Sequence, residues 1–384
     1  MSDPNATPEQ VDLSTADDPR DVVHRAVACL AGGGVVGLPT GAGYALAASA
    51  LVPEAAARVA SALRASLTPA DPTGASGPWI CLRSAGALPD WATAASSGAR
   101  RLASRVWPGP LVLLMSEGVE AGLAGRLPEE VRSAVRGRSG AIGLCCPDHP
   151  FVEHLTRLVS GPIVLAEPTA PDGSPLDSAR RLMGPGAPAL LVDDGPPYDP
   201  KGPTVATFDG DSPRVVRPGS YDERTLRRLC GTIILFVCTG NTCRSPMAEA
   251  LFKAMLADRL GCGPGELEAR GWLVLSAGLS AMPGAPAAEH AVEVVAALGG
   301  SLSSHSSRRL TPEIVRAADR IVVMTRGHLD ALLHHAPEAA GRARLLDPEG
   351  FDIDDPVGSD LTTYRETAEA IRRHLEHLLD ELVP

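Results

Sequence analysis

The stretch Val237-Cys238-Thr239-Gly240-Asn241-Thr242-Cys243-Arg244-Ser245-Pro246 decides how the chain reads. It follows the apolar run Ile233 to Val237 and precedes Met247, Leu251 and Met255, which repeat at helical spacing. The pattern predicts a buried strand, a tight loop and a helix start. Backbone N–H groups of such a loop can surround one tetrahedral anion, helped by the open N–H groups and positive end of the helix. The same environment favours a thiolate at Cys238. Arg244, with its planar fork of donors, can hold two phosphoryl oxygens. These residues read as a phosphate-cleaving site with a cysteine nucleophile.

Outward from the loop, the second half alternates strand and helix. Strands are predicted at 232–237, 272–275, 320–324 and 343–345, and helices near 245–260, 286–298, 312–318, 327–334 and 361–379. Val, Ile and Leu fill the strands without alternation, as buried parallel strands require. Thr311-Pro312-Glu313 has the cap and first-turn proline of a helix start. The order predicts an α/β open parallel four-stranded sheet with the anion loop at the carboxyl end of its first strand.

This half, residues 232 to 381, resembles the low-molecular-weight protein tyrosine phosphatase family. Besides the loop it carries Ser276-Ala277-Gly278, His305 to Arg309, Ala318-Asp319, Val323-Met324-Thr325 and Asp354-Asp355-Pro356. The resemblance implies that Cys238 attacks phosphorus, that Arg244 and the loop (Thr239, Gly240, Asn241, Thr242, Cys243) bind the phosphoryl oxygens, and that Ser245 eases thiolate departure. It places the general acid on the aspartate before the proline, Asp355, with Asp352 and Asp354 as neighbouring solvated acids. Asn241 is expected to organise the turn. No cofactor or metal is implied for this chemistry, and His305, His328, His334 and His335 are read as surface histidines.

Thr242 carries the substrate question. A loop with threonine there resembles the protein arginine phosphatase branch, whereas tyrosine-specific members usually carry an aliphatic residue. A hydroxyl suits the polar P–N side of a phosphoguanidine, and Val357-Gly358 after the Asp-Pro offers a phenyl ring no stacking partner. Phosphoarginine on a protein is the expected substrate, with phosphotyrosine the alternative. Cys238 and Cys243 are candidates for a reversible disulfide that shields the nucleophile. Arsenate reductases of this fold need a further downstream cysteine pair, and no cysteine follows Cys262.

The first half reads as an α+β domain of many short strands with scattered helices. It resembles the YrdC-like family, which includes the threonylcarbamoyl-AMP synthases, over roughly residues 20 to 221. The motifs are Leu38-Pro39-Thr40, Trp107-Pro108-Gly109-Pro110, Ile142-Gly143-Leu144 with Pro147-Asp148-His149-Pro150, Gly161-Pro162-Ile163, Pro203-Thr204-Val205 and Arg217-Pro218-Gly219. The resemblance implies a twisted mixed sheet and ATP or another nucleotide, with Mg, as ligand. Thr40, Lys201, Thr204 and Arg217 are the candidate ligand-binding residues. The departures are equally specific. Ser61 to Pro69 holds Arg64 but no lysine where the family has Lys-x-Arg, and Thr68 to Gly77 carries no positive charge. Gly41 stands for a glutamate, Cys145 for an arginine, and Ala166-Glu167-Pro168-Thr169 for a Ser-x-x-Asn element. Condensing ATP with an acid needs cations or metal at the developing charge. The expected role is therefore binding or regulation, with synthase activity as the alternative.

The expected organisation is a disordered tail at 1–18, the YrdC-like domain at 19–221, a linker at 222–231 and the phosphatase-like domain at 232–384. A hydrophobic content of 44% and 384 residues suit two globular domains. A net charge of −11 argues against a broad nucleic-acid surface. No secretory leader pattern opens the chain, no apolar run is long enough to span a bilayer, and the cysteines show no framework spacing, so a reducing cytoplasm is expected, without membrane attachment.

Overall fold

A computed structural model describes residues 8–66, 77–137, 140–170, 172–183 and 187–383. The segment Thr68 to Gly77, which carries no positive charge, and the end of Ser61 to Pro69, where the family has Lys-x-Arg, fall largely outside the described residues. The chain forms two compact units, Met1–Cys230 and Gly231–Pro384.

The first unit is built on a ten-stranded mixed sheet. Its strands are β1 (Glu9–Asp12), β2 (Val36–Pro39), β3 (Tyr44–Ser49), β4 (Trp79–Cys81), β5 (Gly109–Met115), β6 (Ile142–Cys146), β7 (Ile163–Ala166), β8 (Leu190–Asp193), β9 (Thr204–Asp209) and β10 (Ser212–Arg217). They lie in the order β1-β8-β2-β3-β7-β4-β6-β5-β9-β10. Helices α1 (Pro19–Ala31), α2 (Pro53–Ser66), α3 (Leu88–Trp91), α4 (Ser97–Val106), α5 (Glu129–Val135) and α6 (Pro150–Leu158) connect the strands. Two apolar layers cover the two sheet faces. One gathers Ile80, Leu102, Leu111, Leu113 and Leu144; the other gathers Val22, Leu30, Leu38, Trp79 and Leu165.

Three local expectations are corrected. The tail is not wholly unstructured: Glu9–Asp12 pairs in parallel with Leu190–Asp193. Val11 and Leu13 alternate toward the apolar layer under α1, a period-two signal hidden in a polar sequence. Pro39-Thr40-Gly41 reads in sequence as the start of a loop at the end of a strand, but it is only the turn of a hairpin, because Tyr44–Ser49 returns antiparallel to β2. Its alanine-rich run is buried on both faces, and the Tyr44 hydroxyl donates to Asp193 Oδ1 (2.8 Å) or Gly195 O (2.6 Å).

The third concerns the joining segment. Tyr221 to Leu229 reads as a short charged helix broken by Gly231, and the helix is present as α7 (Glu223–Cys230), but it packs on α4 and β10 of the first unit instead of serving as a linker. Leu226 and Cys230, one turn apart, are buried on one face. Burying a leucine contributes about 2 kcal/mol. Arg101 Nε donates to Cys230 O (2.6 Å) and Arg105 Nη1 to Leu229 O (2.7 Å), so the basic face of α4 satisfies carbonyls at the helix end.

The second unit is the doubly covered parallel sheet that the sequence predicts. Its elements are β11 (Thr232–Cys238), α8 (Arg244–Arg259), β12 (Trp272–Gly278), α9 (Glu289–Ala297), α10 (Pro312–Ala317), β13 (Arg320–Val323), α11 (Arg326–His335), β14 (Ala343–Leu345) and α12 (Leu361–Leu382). The strand order is β12-β11-β13-β14, and all three pairings are parallel. Along β11, Ile234, Phe236 and Cys238 face the layer holding α8, α9 and α12, while Ile233, Leu235 and Val237 face α10 and α11. Phe236 meets Phe252 of α8 edge-on at 5.7 Å. Cys238 therefore ends a strand fixed on both faces.

Candidate active site

The loop 239–243 leaves the central strand and closes on the first turn of α8. Its turn is made by Asn241, with φ 57°, the only non-glycine residue at positive φ among the described residues. An L-residue in that region carries a steric cost unless its surroundings hold it there. Here they do. The Asn241 amide donates to Ser245 Oγ (3.0 Å) and Ser276 Oγ (2.8 Å), its Oδ1 accepts from Arg308 N (2.8 Å), and its carbonyl faces His305 Nε2 at 2.9 Å. Its own N–H then points at Cys238 Sγ, 3.3 Å away. Gly278 explains the Ser-Ala-Gly motif: a Cβ there would stand 2.5 Å from Thr239 O and 2.9 Å from Asn241 N.

Cys238 is 3% exposed, and Ser245 Oγ lies 2.9 Å from its sulfur. The thiol thus has a backbone donor, a hydroxyl and the start of a 16-residue helix around it. A buried polar chain backs the loop. Ser276 Oγ, which accepts from Asn241, donates to Glu249 Oε2 (2.6 Å), and Glu249, 9% exposed, is ion-paired with Lys253.

Arg244 is buried. Nη1 donates to Ile353 O (2.9 Å), and Nη2 is ion-paired with Asp355 Oδ2. Asp355 is partly exposed and its Oδ1 also accepts from Val357 N (3.3 Å). Asp354 is exposed. Asp352 is exposed and also accepts from the Arg326 N–H at the start of α11 (2.7 Å). The acid-bearing segment is thus stitched to α11, since Ile353 N also donates to Met324 O (2.8 Å).

Thr242 is half-buried at the loop's edge, its carbonyl accepting from Ala288 N (2.9 Å). Cys243 is a free thiol turned toward Tyr364 Oη of α12 at 3.2 Å. Two histidines read as surface residues are not. His305 supports Asn241 as above. His328 is 6% exposed, with Nε2 at 2.8 Å from Thr239 Oγ1 and Nδ1 at 2.9 Å from Thr325 Oγ1. Glu249, His328 and Tyr364 were not singled out for the site by sequence because each lies on a helix whose spacing also suits ordinary packing. The helical cap signal at Thr325 was the one available hint for His328. Among the described residues, no cluster of three or more His, Cys, Asp or Glu could hold a metal ion.

In the first unit, Lys201, Arg217 and Glu167 line a cavity of about 220 Å³ with Tyr44 and Thr169. Thr40 lies outside the lining, its Oγ1 donating to Gly43 O (3.2 Å). Thr204 does not line it: fully buried, it donates to Tyr221 O (3.1 Å) and accepts from Tyr221 N (2.8 Å). Arg217 lies over the Trp79 ring, 5.1 Å from its centre. Burial pushes the Glu167 carboxyl up to about 7, against the pull of Arg217 and Thr40. Gly41 has φ 83°, and a Cβ there would meet Asp148 O at 2.4 Å, so this backbone has no room for the family's glutamate. The cavity lining sets one carboxylate beside two cations.

A parallel sheet whose first strand delivers a Cys-x5-Arg loop to a helix start, with an Asp-Pro acid segment opposite, defines a phosphatase-type hydrolase. The model of the family described as "Low molecular weight phosphotyrosine protein phosphatase" matches residues 233–383, and that of the Sua5, YciO and YrdC family, described as "Telomere recombination", matches residues 28–219. The chain belongs to both families, as a low-molecular-weight phosphatase domain of the arginine and tyrosine phosphatase branch fused to a YrdC-like domain. It is 39% identical over 144 residues to the probable low molecular weight protein-tyrosine-phosphatase EpsP of Ralstonia nicotianae, covering 37% of this chain and 90% of that one. It is 35% identical over 153 residues to the protein-arginine-phosphatase of Bacillus subtilis, covering 39% and 95%. Its identity to the protein-arginine-phosphatase of Geobacillus stearothermophilus is 37% over 153 residues, covering 39% and 92%. Among the described residues no helix is long and apolar enough to cross a membrane.

Proposed function

We propose that the protein hydrolyses phosphoarginine on proteins through a phosphocysteine at Cys238. The sulfur attacks phosphorus in line; the P–S bond forms as the P–N bond breaks, and Asp355 delivers its proton to the departing guanidine nitrogen. Arg244 and the loop N–H groups hold the three equatorial oxygens. Asp355, now a carboxylate, takes a proton from water as that water attacks phosphorus. The P–S bond breaks, phosphate leaves, and Ser245 stabilises the released thiolate. Thr239 to Cys243 form the binding loop.

The observation that carries this reading is Cys238 Sγ between Ser245 Oγ and the Asn241 N–H, with Arg244 and Asp355 already in contact. The arginine preference is supported by Thr242 and by the names of two relatives. Phosphotyrosine is the second reading, favoured by EpsP and by Phe351, a phenyl side chain 65% exposed in the acid segment. Cys243 protects the nucleophile: peroxide oxidises the Cys238 thiolate to a sulfenic acid, and the Cys243 thiol displaces water to form the disulfide. The YrdC-like unit serves binding or regulation rather than adenylate synthesis. The test is release of phosphate from phosphoarginine-bearing protein by the full chain. Turnover that survives Cys238→Ser would overturn the mechanism, and pyrophosphate release from ATP with threonine and bicarbonate would overturn the non-catalytic role of the first unit.

A further inference from the structure

His328 stands where two chemically important segments meet. It belongs to the first turn of α11, whose N-cap is Thr325. The Thr325 hydroxyl oxygen accepts from the His328 backbone N–H (3.2 Å) and lies 2.9 Å from its ring Nδ1. On the other side of the ring, Nε2 reaches Thr239 Oγ1, the first residue after the nucleophile, at 2.8 Å. Arg326 and Met324, flanking the same cap, hold the acid segment through Asp352 and Ile353. The ring is buried while Thr239 is exposed at the mouth of the loop.

Two proton arrangements satisfy the ring contacts, because a hydroxyl can accept two bonds. Burial and the nearby Arg244 guanidinium push the ring's proton affinity down, against the pull of Asp355 and Asp352, so the neutral ring carries a single N–H. In the arrangement in which Thr325 gives its proton to Nδ1, Nε2–H donates to Thr239 Oγ1. A hydroxyl that accepts this bond keeps its own proton for a group in the cleft.

We infer that His328 is a positioning residue that fixes the Thr239 hydroxyl as a donor to the phosphorylated side chain at the cleft mouth. This rests on the phosphatase reading of the loop. A donor of this kind binds ground and transition states alike, so its loss raises KM and leaves kcat nearly unchanged.

The test uses the full chain with a phosphoarginine peptide. His328→Ala and Thr239→Val should each raise KM by roughly three- to ten-fold, the range of one neutral hydrogen bond. The double variant should be no worse than Thr239→Val alone. His328→Gln, whose amide N–H reaches about as far as Nε2, should restore KM to within about two-fold. Independent multiplication of the two effects, or a fall in kcat alone, would overturn the inference. A second measurement does not need turnover. The ring tautomer read from 15N–1H correlations, with the His328 signal identified by its loss in His328→Gln, should be Nε2–H; an Nδ1–H ring would overturn the proton arrangement. Absence of turnover in the wild type would count against the phosphatase reading, whereas an active wild type with an unaffected His328→Ala counts against this inference alone.

Discussion

Arg244 and Asp355 are ion-paired across 111 residues of sequence, with the buried guanidinium also donating to Ile353 O. Under the proposed mechanism a bound phosphoryl group would compete for the guanidinium and free Asp355 to reach the leaving atom.

Asp355→Asn is therefore expected to cut kcat by about 10²–10⁴-fold, the usual span for a lost general acid. The loss should be larger for a poor leaving group such as phosphoarginine than for p-nitrophenyl phosphate, which departs without a proton. Asp354→Asn should change either rate less than about two-fold. Steady-state rates on both substrates check this; a larger effect at Asp354 would move the acid by one residue.

Asn241 combines a left-handed backbone with five polar contacts. Asn241→Gly keeps the backbone and loses the side-chain contacts, while Asn241→Ala loses both. Both should lower kcat more than about ten-fold by loosening the N–H aimed at Cys238. Asn241→Ala should unfold more easily than Asn241→Gly by about 1–2 kcal/mol in the second unit's urea transition. A Gly variant with wild-type kcat would leave the side-chain network without a catalytic role.

Cys243 has to leave Tyr364 before it can meet Cys238. After peroxide treatment, wild-type activity should return fully with dithiothreitol, and peptide mapping should find Cys238 joined to Cys243. Tyr364→Phe removes the hydroxyl that holds the Cys243 thiol and should speed closure. Cys243→Ser should lose activity irreversibly. Full recovery of Cys243→Ser under the same dose would contradict the protective role.

Glu167 in the first unit gives a pH signature. Its folded pKa is raised to about 7, above the unfolded carboxylate range. The stability it contributes is complete below the unfolded value and is lost as pH rises through about 7, because ionising it in the folded state is opposed by burial. Glu167→Gln should raise the first unit's melting temperature at pH 8 and leave it unchanged near pH 4. The gain at pH 8 is about 1–3 kcal/mol. Equal melting temperatures at pH 8 would show that Glu167 is solvated.

The second unit was legible because its strands are continuous Val, Ile and Leu runs and its loop is a dense cluster of chemistry-bearing residues. The first unit was legible mainly through scattered motifs, and the misread pieces have physical reasons. Tyr44–Ser49 is mostly alanine, which carries no strand preference but fits a strand buried on both faces. Val11 and Leu13 show one alternation too short to stand out from a polar tail. The helix at Glu223–Cys230 was legible but its docking was not, because it is charged on its open side and only Leu226 and Cys230 mark the buried face. At the site, Cys238, Arg244 and Asp355 follow from their motifs. Glu249, His328 and Tyr364 do not, because a buried hydrogen bond to a loop depends on helix placement that no local pattern records.

The phosphoarginine preference proposed for the loop is tested by kcat/KM for matched phosphoarginine and phosphotyrosine peptides with wild type and Thr242→Ile. Wild type should favour phosphoarginine by at least about ten-fold, roughly 1.4 kcal/mol in the transition state, and Thr242→Ile should shift the ratio toward phosphotyrosine by a similar factor. A wild type that prefers phosphotyrosine, or a ratio unmoved by the substitution, would contradict it.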